Sequence, residues 1–357
     1  MATITIGVDL AKRVFATCEV DDRGRVVRRQ ELGREGFSAW LAQQVAGTVI
    51  AMEACTGAHH WGRRCLGYGL VPRLMAAQFV APFRKRQSVK NDRNDAEAIV
   101  TAARQGNMRF VPVKSAEQQA QLSLHRLREA CKQECLAIAN RARGLLAEFG
   151  VVMAQGDAAL RRVLGGLDDY PELPALVVEL LDELAGQWAL SRARLDALSA
   201  RIEEHGRHDE RCRRAQAIIG VGPVTAHALV ATVGNAADFR NGRQLAAWLG
   251  LTPAQHSSGG RSRLGSITCR GDAYLRTLLI QGARSSLQRA KAVSIEKATP
   301  EQIWIRSLSA RLSFGKVLVA IANKHARQLW AMLARGEDYD PEAWLKHPMV
   351  QRPASQH

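Results

Sequence analysis

The sequence predicts an α/β domain followed by a helical remainder, an α/β plus α architecture. Three observations carry this. Strand-like segments crowd the first 75 residues: "TITIGVDL" (3–10), "VFATCEVD" (14–21), "RVVRRQEL" (25–32), "TVIAMEA" (48–54) and "LVPRLM" (70–75). Apolar residues then recur at helical spacing through two long stretches between residues 115 and 208. Beyond them, glycine-punctuated helical segments continue towards residue 340. The implied division is 1–112 for the α/β domain, 113–208 for a helical coiled-coil region, 209–340 for a mostly helical C-terminal domain and 341–357 for a tail.

Each N-terminal element follows from local chemistry. The turn residues "DDRG" join the second and third strands, so the first three strands read as an antiparallel meander. "GFSAWLAQQV" has helical periodicity, and "TVIAMEA" is nearly continuous in apolar residues, as in a strand covered on both faces. "AHHWGRRCLGYG" is a helix ending on glycine, "LVPRLM" a fifth strand, and "AQFVAPFRKR" leads into a helix beginning within "KNDRNDAEAI" (90–99). Three antiparallel strands, a helix, then strands alternating with helices is the order of the RNase H-like fold.

That order brings four acids into focus. Asp9 lies inside an apolar first strand, where a carboxylate is costly unless something pairs it. Glu53 ends the fourth strand. A strand Asp can satisfy a neighbouring amide, and a strand-end Glu is often merely solvated. Asp92 and Asp95 stand three residues apart on one helix face, where two carboxylates repel. A helix N-terminus accounts for Asp92, but Asp95 already runs into the apolar face Ala96, Ile99, Val100, Ala103. Four carboxylates on adjacent elements cannot all ionise without cations. Two Mg²⁺ ions meet that requirement and support in-line displacement at phosphorus. The acid pair stands among the basic residues Lys85, Arg86, Lys90 and Arg93, of which Lys85 and Arg86 are candidates for nucleic-acid contact.

In the middle region, Leu124, Leu127, Cys131, Cys135, Ile138, Ala142, Leu145 and Phe149 recur at near-heptad spacing, as do Val177, Leu181, Leu184, Trp188, Leu195, Leu198 and Ile202. The Gly/Pro-rich break "LGGLDDYPELP" separates them. An antiparallel helical hairpin is the economical reading, with a dimerising coiled coil as the alternative. "AQAIIGVGPVTAHALVATVG" (215–234) then reads as a helix-hairpin-helix, in which Gly220 and Gly222 let backbone N–H groups approach a phosphate. Further on, "HSSGGRSRLGS" is a loop between helical segments. It is either a flexible loop or the seat of a serine nucleophile, with Arg261 and Arg263 beside it to bind a phosphodiester.

Lys and Arg number 50 against 34 acids, giving a net charge of +16 spread over the chain. A polyanion is the expected partner, and nucleic acid the default one. The N-terminus lacks an apolar signal core and no apolar run approaches 18 residues, so a soluble, cytoplasmic chain with no membrane partner is expected. Seven cysteines without a C-x-x-C pair predict buried free thiols and neither zinc nor disulfides.

"IGVDLAK", "MEACTGAHHW" and "KNDRNDAEAI", followed by "IIGVGPVTAHALVATVG" and "LGLTPAQHSSGGRSRLGSITCRGDAYLR", resemble the DEDD transposases of the insertion-sequence one-ten family over almost the full chain. The "HSSGG" form and the C-terminal helix "FGKVLVAIANKHARQLWAML" lean towards its eleven-eleven subgroup. The resemblance implies a RuvC-like N-terminal domain, a coiled-coil insertion and a C-terminal transposase domain holding a serine nucleophile. It implies that Asp9, Glu53, Asp92 and Asp95 hold Mg²⁺ and that Ser258, the serine directly before glycine, attacks the phosphodiester, with Ser257 as the competing choice. It further implies a recombinase joining element and target DNA, guided by a bridge RNA from the element's own end. Acids and serine fall on separate domains, so a homo-oligomer, dimer or tetramer, is expected. The rival readings are a site-specific DNA invertase of the same build, a RuvC-like junction nuclease using the four acids alone, and a non-enzymatic nucleic-acid-binding protein.

Overall fold

A computed structural model describes residues 4–84, 92–255 and 263–341, with side chains described for all of these except Asp92 and Arg93. The chain forms two compact units, Met1–Gln119 and Ala120–His357.

In the first unit, β1 (Thr5–Leu10), β2 (Val14–Val20), β3 (Val26–Gly33), β4 (Val49–Glu53) and β5 (Val71–Met75) form one sheet in the order β3-β2-β1-β4-β5. The pairs β1–β2 and β2–β3 are antiparallel, whereas β1–β4 and β4–β5 are parallel. The expected meander and alternating strands are therefore present. At the β2–β3 turn the Asp21 carboxylate accepts from the backbone N–H groups of Arg23 and Arg25, which fixes the reversal locally.

Period-two alternation splits each strand between two faces. Ile6, Val8 and Phe15 face one side and pack with Phe37 and Leu41 of α1 (Arg34–Ala42) and Trp61 and Cys65 of α2 (Ala58–Gly67). There the rings of Phe15, Phe37 and Trp61 meet edge-on at 4.8 to 5.2 Å. After β5 come α3 (Ala77–Val80) and a 3₁₀ turn, Ala81–Phe83; α4 (Asp92–Ala103) then covers the opposite face. Ala16, Cys18 and Val20 pack there against Ala96 and Val100, and Ala51 against Ala98, Ile99 and Ala102. Gly7 makes this close approach possible. A Cβ at that position would stand 2.3 Å from the Ala96 carbonyl oxygen and 2.7 Å from the Val100 nitrogen. Two arginines fix the register of α4, Arg29 pairing with Glu97 at 2.6 Å and Arg104 donating to the carbonyl of Asp21 at 2.8 Å.

The second unit holds a helical hairpin of α5 (Ala116–Ala147, from residue 120 onward) and α7 (Ala175–His208). Arg128 donates to Ser199 at 2.9 Å and Ser191 to Glu134 at 3.4 Å. Residue numbers thus rise on one helix as they fall on the other, which makes the hairpin antiparallel within one chain. Two differences from the sequence reading stand out. Leu127 is 56% exposed, and Leu146 instead of Leu145 is fully buried. A strict heptad drifts around a 3.6-residue helix, so the apolar seam rotates away from the first and last positions of the pattern. The connection also contains a further helix, α6 (Asp157–Leu164), whose Leu160 and Val163 enter the hairpin core with Met153 and Leu173.

The remaining elements are α8 (Glu210–Ala215), α9 (Pro223–Val233), α10 (Gly242–Trp248), a two-stranded ribbon of β6 (Pro253–Gln255) and β7 (Leu264–Ile267), α11 (Ala273–Ala292), α12 (Pro300–Arg311) and α13 (Phe314–Arg335). Their core is built on the almost wholly buried α9 together with Leu275, Leu279, Ile305, Ile321 and Leu329. Of the seven cysteines, Cys18, Cys65, Cys131, Cys135 and Cys212 are buried, while Cys55 and Cys269 are exposed, contrary to the expectation of uniformly buried thiols.

Hairpin and C-terminal helices meet at a histidine cluster. His125 of α5, 2% exposed, lies 2.8 Å from His227 of α9 through its Nε2 and 3.1 Å from the Tyr274 hydroxyl through its Nδ1. Burial pushes the His125 pKa down to about 3, helped by the charges of His227 and Arg128. Burial and then His205 lower that of His227 as well. Between pH 6.5 and 3 the unfolded chain therefore binds protons that the native His125 refuses, and stability falls as the pH drops through that window. For His125 alone the expected loss between pH 7.5 and pH 5 is about 2 kcal/mol. Urea midpoints at the two pH values measure it, and His125→Gln should flatten the dependence.

Candidate active site

Asp9 and Glu53 are neighbours by strand register. The last paired residues of the parallel β1–β4 ladder are Val8 and Met52, and Asp9 and Glu53 each come next. Adjacent strands lie about 4.8 Å apart, so the two acids leave the sheet side by side at its carboxyl end. Both share a face with Gly7 and Ala51, the face covered by α4. Asp9 also stands opposite Ala16, which packs on Ala96. The nearby Cys55 thiol registers both charges: desolvation raises its pKa, and the carboxylates of Glu53 and Asp9 raise it further.

Asp95 reaches the same place from α4. The link is Arg84, which follows the 3₁₀ turn and donates from Nη2 to Glu53 Oε1 at 2.7 Å and from Nε to Asp95 Oδ1 at 3.1 Å. Glu53 and Asp95 are largely covered, with side chains 14% and 17% exposed, whereas that of Arg84 is 42% exposed. Arg84 had no place among the residues singled out in the sequence; its only signal is membership of the basic run "FRKR". Asp92 is the first residue of α4, with a side chain outside the described set. Among the described residues no three His, Cys, Asp or Glu side chains close on a single point tightly enough to hold a metal ion. The donor chemistry nevertheless fits a hard divalent cation. Asp9, Glu53 and Asp95 supply only anionic oxygens, and a cationic group already bridges two of them.

The serine segment gives a partial picture. His256, Ser257, Ser258 and Arg261 lie outside the described residues, as do Lys85 and Arg86. What is described is the flanking ribbon, β6 paired with β7 through Pro253–Ile267 and Gln255–Leu264, with Arg263 exposed at its edge. The sequence predicts an irregular loop here, and the ribbon differs from it. The base of the ribbon is tightly built. At Gly271, with φ of +91°, a Cβ would lie 1.8 Å from the Trp248 carbonyl oxygen, and Cys269 takes a left-handed φ of 51°.

The two hairpin glycines separate. Gly220 closes on α11, where a Cβ would meet the Gly282 carbonyl oxygen at 2.3 Å. Gly222, the N-cap of α9, has open space beside it. In the direction of a side chain, space thus remains beside Gly222 and is filled beside Gly220.

Residues 6–150 match the model of a DEDD transposase domain, and residues 212–298 match the IS116/IS110/IS902 family of transposases. The chain is 44% identical to a probable family 20 transposase of Pseudomonas aeruginosa, over 94% of this chain and 98% of the relative. It is 38% identical to the transposase for insertion sequence element IS1111A of Coxiella burnetii, over 94% and 90% respectively. To the transposase for insertion sequence element IS1328 of Yersinia enterocolitica it is 34% identical, over 93% and 97%.

Proposed function

Because the chain belongs to the IS116/IS110/IS902 family of transposases and is thus a DNA transposase of an insertion sequence, we propose that it cuts and rejoins DNA through a covalent phosphoserine, with Mg²⁺ as cofactor and a bridge RNA as guide. The observation that carries this reading is the placement of Asp9 and Glu53 side by side at the ends of two parallel strands, with Arg84 linking Glu53 to Asp95 of the helix that covers them. The similarity to the IS1111A transposase supports placement in the eleven-eleven subgroup.

Asp9, Glu53, Asp92 and Asp95 would hold Mg²⁺, two ions in this reading. Bound there, the metal polarises the scissile phosphate and offsets the negative charge that grows on it during displacement. The remaining steps belong to the chain. Ser258 Oγ bonds to phosphorus as the bond to the leaving 3′ oxygen breaks, and the serine proton ends on that oxygen. The products are a phosphoserine and a free 3′-hydroxyl. A 3′-hydroxyl from another strand then reverses the step and releases the serine, so rejoining needs no external energy. Arg261 and Arg263 steady the phosphate, while Lys85, Arg86 and the backbone at Gly222 contact the nucleic-acid backbone. Acids and serine come from different units of the chain, and we assign the working form to a dimer or tetramer in the cytoplasm. Among the described residues no helix is long and apolar enough to cross a membrane.

The test is purification of the full chain from cells carrying its element, sequencing of the RNA that accompanies it, and assay of that complex for exchange between element-end and target DNA. A specific RNA from the element's end, required for exchange, is the expected result. Exchange that proceeds unchanged after the RNA is removed would delete the guide from the reading. With a net charge of +16, binding should also weaken steeply with salt. Six phosphate contacts correspond to a slope of about −5 in log affinity against log salt. Filter binding from 50 to 300 mM KCl, on the order of the range where such slopes are read, checks it, and a flat line would remove the polyanion argument.

A further inference from the structure

We propose that Arg84 is the resident countercation of the Glu53–Asp95 pair and that divalent metal enters the site by displacing its side chain. This rests on reading the acids as a metal centre, and it adds a residue that the four-acid description lacks. The two carboxylates come from β4 and α4, and each gives an oxygen to the same guanidinium, at 2.7 and 3.1 Å. Two largely covered carboxylates that converge in this way repel unless a cation stands between them. Here that cation comes from the chain itself, from the solvent side, as the greater exposure of Arg84 indicates.

The oxygens facing Arg84 are of the kind a divalent ion needs. An oxygen already bonded to a guanidinium N–H is a poorer ligand, and a metal ion beside the guanidinium would add a like-charge repulsion. Metal and Arg84 therefore compete for one place. Exchange requires little rearrangement of the fold. The Arg84 backbone N–H donates to the Ala81 carbonyl at 3.2 Å, and the preceding Phe83 packs on the cluster of Ala51, Met75 and Ile99. The main chain is thus held on this side, and the exchange asks only the long side chain to move. Once displaced, its planar donor fork lies beside the acids, suited to a phosphate oxygen pair.

The experiment is a titration of the full-length, metal-free protein with Mn²⁺, bound ion being counted by electron paramagnetic resonance. Arg84→Gln should bind Mn²⁺ about ten-fold more tightly than wild type, the scale set by removing a half-exposed guanidinium bonded to both carboxylates. Arg84→Lys, which keeps the charge but loses the fork, should fall between them, and it serves as the test if the glutamine variant does not fold. Arg29→Gln, which breaks a pair with Glu97 away from the acids, should change the affinity less than about two-fold. Thermal midpoints give a second readout: without metal Arg84→Gln should melt below wild type, and saturating Mn²⁺ should close the gap. Equal or weaker binding by both Arg84 variants overturns the inference, as does an equal gain from Arg29→Gln. Glu53→Gln separates this from the underlying reading: if bound Mn²⁺ is indifferent to Glu53→Gln in every background, the metal centre itself is misassigned.

Discussion

Asp95→Asn should leave the protein folded and able to bind DNA while lowering strand cleavage by about a thousand-fold or more, the scale for deleting one preorganised electrostatic contact to the transition state. The side chain sits at the start of a helix, 17% exposed, and its described partner is the half-exposed Arg84, so the structural loss is one partly solvated ion pair. Such pairs contribute at most about 1 kcal/mol. The chemical loss is of another order, because an amide does not carry the charge that draws in the divalent ion, and without that ion the charge growing on the phosphate is not offset. Asp9→Asn and Glu53→Gln should behave alike, since register places the two acids side by side. Single-turnover cleavage of a labelled element-end duplex, with circular dichroism and filter binding in parallel, measures all three. Normal cleavage by any one of them would remove that residue from the site.

Ser258→Ala should bind DNA and RNA as wild type does and form no protein–DNA adduct, whereas Ser257→Ala should retain adduct formation. A metal-only site of this fold hydrolyses with activated water and leaves free ends, while a serine nucleophile keeps the phosphodiester energy in a covalent bond. The adduct is therefore the discriminating product. A nicked suicide substrate, quenched in detergent and resolved on a denaturing gel, traps it. An adduct surviving in Ser258→Ala but lost in Ser257→Ala would move the nucleophile by one residue. Wild type giving cleaved DNA with no adduct would leave the hydrolytic nuclease reading.

The sheet was legible because its signals are local: five alternating or apolar segments, each closed by a turn or a helix, fell within a residue or two of the strands. The acids Asp9 and Glu53 were legible because a charge in an apolar strand is a local anomaly too. The ribbon was not, since its strands are three and four residues long and mostly exposed, which leaves no alternation to read. Helix α6 escaped because its eight residues stand between a coil and a Gly/Pro-rich break. Arg84 was invisible for a different reason. Its partner Glu53 lies 31 residues away, and nothing in a run of basic residues says which of them turns inward. The His125–His227 contact spans 102 residues and is equally silent in sequence.

Helix α7 runs unbroken for 34 residues, about 51 Å at 1.5 Å per residue. One end lies in the hairpin core through Val177 and Leu181; the other reaches His205, whose ring is 6.1 Å from that of His227 in the C-terminal core. Mechanically, such an element is a stiff lever with its fulcrum at the histidines. A tilt of 10° there carries the far tip by about 8 Å, so force applied at the hairpin end is delivered to α9, the buried helix at the centre of the C-terminal core.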